Sequence, residues 1–344
     1  MTVELRGMVE WLLEPLIKHL AELPELPAHI VACTDDLFAL TLLEDGGMDH
    51  LIKRLIAGGM APLRAYRLAT YHAAIRLGCP DLGLVAAGRR ADLVILSDLE
   101  GVIVDEVFFE GQLVAKDGAM CAPVVEGPSS PPYNTMHLDP VAPDDFLYRL
   151  PGEPDGEVRL RVIHGAVQTT WGEATVEVRD EIVQIPDGHL LQVAIHRHGR
   201  APATPVAALT SGWGDWTGAI ATTFTHDTHN LVVFGRDTDD MAIAANAVIA
   251  AGGGVAVVTG GEVIGLIELP IAGILSPLPP AELAEVQRRT QDAAISVGLT
   301  SSVVTQPLLQ VMVSSLACLG GPHVTDIGVV DGTTGKRVPD LVVR

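Results

Sequence analysis

Basic residues are scarce in this chain: 22 Lys and Arg stand against 43 Asp and Glu, a net charge of −21. A surface that negative repels phosphate backbones and anionic lipid, so neither a nucleic-acid nor a membrane partner is expected. Cysteine is scarce too. Cys33, Cys79, Cys121 and Cys318 are scattered with no C-x-x-C pair. That argues against a disulfide scaffold or a zinc ribbon and for a reducing, cytoplasmic setting. Met1 to Arg6 lacks a basic segment leading into an apolar one, so no secretory leader is expected. The most apolar stretch, Val248 to Val258, is interrupted by Gly252-Gly253-Gly254 and falls short of the ~20 residues that span a bilayer. A soluble cytoplasmic protein is the expectation.

What is present is enough to fold. The chain has 344 residues, 48% of them hydrophobic and 19% charged, which excludes general disorder. At roughly 100–200 residues per domain, two or three domains are expected. Val9, Leu12, Leu13, Leu16, Ile17 and Leu20 recur at helical spacing, predicting a helix over 8–23 that Pro24 and Pro27 stop. Ala28 to Cys33 is apolar and β-branched, a strand buried on both faces, and it runs into Thr34-Asp35-Asp36. Helices are predicted around Met48–Gly58 and Pro62–Leu77. Strand and helix alternating, with carboxylates at a strand's C-terminal end, is the pattern of a β/α barrel.

From about Leu84 the period changes to two, predicting short strands at Ala91–Leu96, Val102–Phe109 and Gln112–Ala115. Residues 122–157 are dense in proline and read as a linker, with one short helix near Asp144-Asp145-Phe146. Beyond it, strands are expected at Val158–Ile163, His189–His198, Asn230–Phe234 and Val255–Val258. A Gly260-Gly261 hairpin follows, and helices run from Asp239 or Asp240 to Ala251 and from Pro280 to Val297. Four segments result: 1–83, 84–121, 122–157 and 158–344.

Two places could carry chemistry. Asp35 lies just past a buried strand, where barrel enzymes put catalytic groups, although a carboxylate there can also cap the next helix. His196, His198, His226, Asp227 and His229 form two short clusters whose nitrogens and carboxylate suit Zn, Mn or Fe. The alternative is two unrelated pairs of histidines bonded to backbone carbonyls. Trp213 and Trp216 read as core, His72 as packed in its helix, and Gly252–Gly254 as a helix end running into a hairpin.

Several stretches resemble the bacterial adenine deaminases of the amidohydrolase superfamily. They include Cys33-Thr34-Asp35-Asp36, Gly88-Arg89-Arg90-Ala91-Asp92-Leu93 and His196-Arg197-His198-Gly199. His226-Asp227-Thr228-His229-Asn230, Asp239-Asp240-Met241-Ala242 and Thr325-Asp326-Ile327-Gly328 continue the likeness. The resemblance begins near strand 7 of that family's barrel, so strands 1–6 and their H-x-H, Glu and His ligands have no counterpart, and His72 stands where the family has Asn. It implies an α/β chain made of the C-terminal portion of a metal-dependent-hydrolase β/α barrel, a small β-sandwich-like unit and a C-terminal α/β domain. The implied reaction is hydrolysis of adenine to hypoxanthine and ammonia in purine salvage, with a divalent metal, Mn or Fe before Zn. Asp35 would be the strand-8 metal ligand and proton shuttle, and the histidine clusters would help close the pocket. The implied partners are adenine and either further copies of the chain or a missing N-terminal half. Two readings compete: a non-catalytic fragment or half of a split enzyme, and a stand-alone metal-binding module on His196, His198, His226 and His229.

Overall fold

The computed structural model describes residues 2–7, 10–123, 130–300 and 306–344. The chain divides into two compact units, Met1–Ser129 and Ser130–Arg344. Met8 and Val9, expected to open the first helix, lie outside the described residues.

In the first unit, β1 (Val3–Arg6), α1 (Glu10–Glu22) and β2 (Ile30–Cys33) form a strand–helix–strand crossover, and β1 and β2 pair in parallel with Arg6 opposite Cys33. Leu13, Ile17 and Leu20 place one face of α1 in a core with Leu5, Ile30 and Ala32. Four helices follow: α2 (Ala39–Glu44), α3 (Met48–Ala57), α4 (Pro62–Ala69) and α5 (Tyr71–Leu77). Leu51, Leu55, Ala65 and Leu68 complete the core.

The single helix expected over Pro62–Leu77 is two. Thr70 leaves helical geometry at φ −119° and ψ −84°, and its hydroxyl donates to the Tyr66 carbonyl at 2.7 Å. A β-branched residue that offers the backbone its own hydrogen bond is a weak link in a helix. His72 is buried, its Nδ1 2.9 Å from the Ile30 carbonyl, which ties α5 to β2.

Next come β3 (Leu93–Asp98), β4 (Ile103–Phe109), β5 (Gln112–Lys116) and β6 (Ala119–Met120), an antiparallel meander in that order. Val94, Ile95, Ile103, Val104 and Phe109 are exposed, so among the described residues this is one sheet and not a sandwich.

In the second unit, a 3₁₀ turn at Pro143–Phe146 occupies the place of the expected short helix. Phe146 and Tyr148, inside the segment read as a linker, are core residues. The unit then runs through β7 (Gly156–His164), β8 (Thr170–Arg179), β9 (Ile182–Gln184), β10 (His189–Ile195), β11 (Val206–Ser211), β12 (Ala219–Thr222) and β13 (Leu231–Gly235). After these come α6 (Thr238–Ala250), β14 (Gly254–Thr259), β15 (Glu262–Glu268), α7 (Pro280–Ser296) and α8 (Pro307–Val313). It ends with β16 (Pro322–Thr325), β17 (Gly328–Asp331) and β18 (Lys336–Arg337).

Nine strands form one sheet in the order β15-β14-β12-β13-β10-β11-β7-β8-β9, and β16–β18 form a small second sheet. All neighbours in the large sheet are antiparallel except β11 and β7. Alternation sends Leu191, Val193 and Ile195 of β10 toward the core that holds Met241, Ala245 and Val248 of α6. Gln192 points the other way and donates to Ser314 and Ser315 at the end of α8. The large sheet is therefore covered on both faces at β10, while alternate residues of β8 are exposed, and the whole is mixed α/β.

Helix α6 shows how the Asp-Asp-Met-Ala stretch is used. Asp237 caps it by accepting the Asp240 N–H at 3.0 Å. The buried Asp240 carboxylate accepts the N–H groups of Gly260 and Gly261 at 3.0 and 2.7 Å, holding the β14–β15 hairpin to the helix. Asp240→Ala is therefore expected to cost about 1–3 kcal/mol, because the hairpin loses two hydrogen bonds to a charged acceptor. Urea unfolding beside the exposed control Asp239→Ala checks this, and equal midpoints for the two variants would contradict it.

Candidate functional site

The second unit gathers the paired histidines by strand register. Strands β10 and β13 run antiparallel with Ile195 opposite Leu231. The chain leaving β10 at 196–198 therefore lies beside the chain entering β13 at 228–230. The expected strand over His189–His198 ends at Ile195 because Arg197 turns inward. Its side chain is 1% exposed and donates to the carbonyls of His229, Thr135 (2.9 Å) and Ala272 (2.8 Å), and to the Thr135 hydroxyl at 3.1 Å. Its backbone N–H donates to Asn230 Oδ1 at 3.2 Å. The two histidine motifs are thus joined through Arg197.

His196 and His198 stand edge to face with ring centroids 5.5 Å apart. Nδ1 of His196 is 2.7 Å from Asp326 Oδ2, while Nε2 accepts the Arg200 backbone N–H at 3.3 Å. With Nε2 as the acceptor, Nδ1 is the donor to the carboxylate. His198 donates from Nε2 to the Thr228 carbonyl at 2.9 Å. Both rings line an open cavity of about 640 Å³ together with His137, Arg200, Asn230 and Asp326.

Burial lowers the His198 pKa from its ordinary value; the Thr228 bond opposes this, and the charges of Arg197 and Arg200 add to it. A base with a depressed folded pKa binds fewer protons folded than unfolded, so stability rises with pH. Acidification through about pH 6.5 is accordingly expected to lower the unfolding free energy, and His198→Gln to lose that share of the slope. Unfolding at pH 7.5 and 5.5 tests it; identical pH dependence in parent and variant would refute it.

The second histidine pair is separate. His226 and His229 are edge to face at 5.4 Å, and the Phe224 ring stacks on His229 at 5.8 Å, inclined by 17°. Asp227 is exposed. Among the described residues no group of three or more His, Cys, Asp or Glu side chains is placed to hold a metal ion. The four-imidazole centre considered from the sequence is accordingly not gathered among the described residues. Trp213 and Trp216 are buried against Phe234 at 4.8 and 6.2 Å, as core residues.

In the first unit, Asp35 sits two residues beyond β2 with φ 64°. Its carboxylate accepts from Arg6 Nη1 at 3.2 Å, across the C-terminal ends of the parallel strands. It is not a helix cap: the N-cap position of α2 is Phe38, which has no side-chain cap bond. Burial raises the neighbouring Cys33 thiol, with Asp35 and Glu4 adding to it, which leaves a poor nucleophile. One carboxylate at this edge can hold or pass a proton; alone it does not make a metal site.

Three residues escaped sequence reasoning as site residues: Arg197, Asp326 and His137. The first two lie inside motifs already noted, and a cation framed by two histidines was the available signal for Arg197. Nothing marked His137, which packs over Gly199 and whose backbone N–H donates to the Arg197 carbonyl at 2.9 Å.

Residues 166–336 match the family described as adenine deaminase C-terminal domain, and residues 12–114 match the amidohydrolase family. A protein named adenine deaminase from Klebsiella pneumoniae subsp. pneumoniae is 46% identical over 348 residues, covering 99% of this chain and 57% of that protein. One from Serratia proteamaculans is 44% identical over 347 residues, covering 99% and 58%. A protein named adenine deaminase 2 from Rhizobium etli is 42% identical over 348 residues, covering 100% and 57%. The chain spans little more than half the length of these curated relatives.

Proposed function

Because the chain belongs to the adenine deaminase family of amidohydrolases, we propose that it is the C-terminal part of an enzyme that hydrolyses adenine to hypoxanthine and ammonia. The observation that carries this reading is the 46% identity sustained over 99% of the chain but only 57% of the relative. A divalent metal in such an enzyme supplies an activated water near neutral pH. The described residues do not fit a whole metal site, so no catalytic step is assigned to this chain alone. Asp35 is the residue proposed to enter the completed site, as a ligand and proton carrier, with Mn or Fe ahead of Zn. A role in purine salvage, a cytoplasmic location and assembly with an N-terminal part or further copies belong to the same proposal. The exposed apolar residues of the β3–β6 sheet support a chain that something else completes.

Ammonia release from adenine, with Mn²⁺ or Fe²⁺ added, is the test. The chain alone is expected to show no turnover. Mixed with the remaining N-terminal part of the Klebsiella relative, it is expected to turn over. Turnover by the chain alone would overturn the need for a partner, and a stable but inactive mixture would overturn the deaminase reading.

A further inference from the structure

The cavity beside His196 lies in a chain of net charge −21, and its lining carries one guanidinium, Arg200, and one carboxylate, Asp326. Arg200 lines it and makes no ion pair among the described residues. Arg197, one residue behind the wall, spends its guanidinium on carbonyls and a hydroxyl and on no carboxylate. The one carboxylate in the wall, Asp326, is engaged by the His196 Nδ1–H at 2.7 Å. Arg200 is therefore the one charged donor of the wall that no carboxylate engages.

We propose that this cavity binds a small oxyanion, a phosphate or carboxylate group, held by Arg200 with His137 and Asn134 as neutral donors. Arg200 can grip such a group with two parallel N–H bonds. His137 packs against Gly199, where a Cβ would lie 3.1 Å from the His137 Cβ, and lines the rim. Asn134 adds an amide from the neighbouring segment. A volume of about 640 Å³ is that of a small-molecule pocket and exceeds what one bare ion requires. The lowered pKa of His198, to which Arg197 and Arg200 contribute, accords with a positive local field. None of this depends on the deaminase reading, and its test uses binding and not turnover.

The experiment is calorimetric titration of the full chain at constant ionic strength with three probes: inorganic phosphate, a purine nucleoside monophosphate and acetate. Saturable one-to-one binding of at least one probe is expected, weakening as sodium chloride is raised. Arg200→Ala is expected to weaken it by about tenfold or more, and Arg200→Lys by less, since the ammonium keeps the charge and loses the fork. Preference for the nucleotide would assign a nucleotide phosphate, preference for phosphate the free ion, and preference for acetate a carboxylate. Arg200 is exposed, so its substitution leaves the fold intact, which the unfolding midpoint checks. No saturable binding of any probe, or equal binding by folded Arg200→Ala, would overturn the proposal.

Discussion

Arg197→Ala is expected to lower the thermal midpoint of the second unit by roughly 10 °C, from a loss on the order of 3–5 kcal/mol. The guanidinium is 1% exposed and supplies donors to three carbonyls and one hydroxyl drawn from three separate segments. Truncation leaves those oxygens buried without donors, at about 1–3 kcal/mol for each one that water cannot reach. It also empties the volume that the side chain fills. Burial pushes its pKa down to about 10, so it remains charged at neutral pH.

Lysine should recover only part of the loss, because one ammonium cannot reach acceptors arranged around a planar fork. The fit is tight from the other side as well. Gly273 has φ +74°, and a Cβ there would lie 2.6 Å from the Arg197 guanidinium carbon, so Gly273→Ala should destabilise the same junction. Differential scanning calorimetry decides the matter. A midpoint for Arg197→Ala within about 2 °C of the parent would mean that water or rearranged backbone replaces the clamp.

Asp35→Asn, measured in enzyme reassembled with the N-terminal part of a relative, is expected to reduce ammonia release by roughly 10²–10⁴-fold. Stability should barely change. The Arg6–Asp35 ion pair is partly exposed, and pairs of that kind contribute only about 0–1 kcal/mol. Asparagine is the right substitution because Asp35 occupies the left-handed region at φ 64°, which Asn tolerates better than Ala does. The variant therefore removes the charge and leaves the backbone in place. Turnover within a few-fold of the parent would remove Asp35 from the catalytic assignment.

Local elements were largely legible. Pro280 opens α7 and Gly298 follows its end, and Gly260-Gly261 makes the β14–β15 hairpin, because caps and turns are decided by residues a few positions apart. Strands β8, β11 and β12 were not anticipated. Two of them are short, and β12 is buried at every position, so its four residues show no alternation. The break at Thr70 was also missed: the period there favours one helix, and a single hydroxyl bond to Tyr66 decides otherwise.

The sequence by itself determined the family, through motifs spread across both units, and it placed Asp35 just past the end of a strand. Only the tertiary structure decided what the histidines do. His196 meets Asp326 across 130 positions, because β10 and β16 come together in the fold. His198 meets Thr228 because Ile195 registers with Leu231. Periodicity reports which side of an element is buried. It carries no distance between elements, and hydrogen bonds and ion pairs are made or missed within fractions of an ångström of such distances. For the same reason Arg197, a cation that composition would place at the surface, holds the centre of the site.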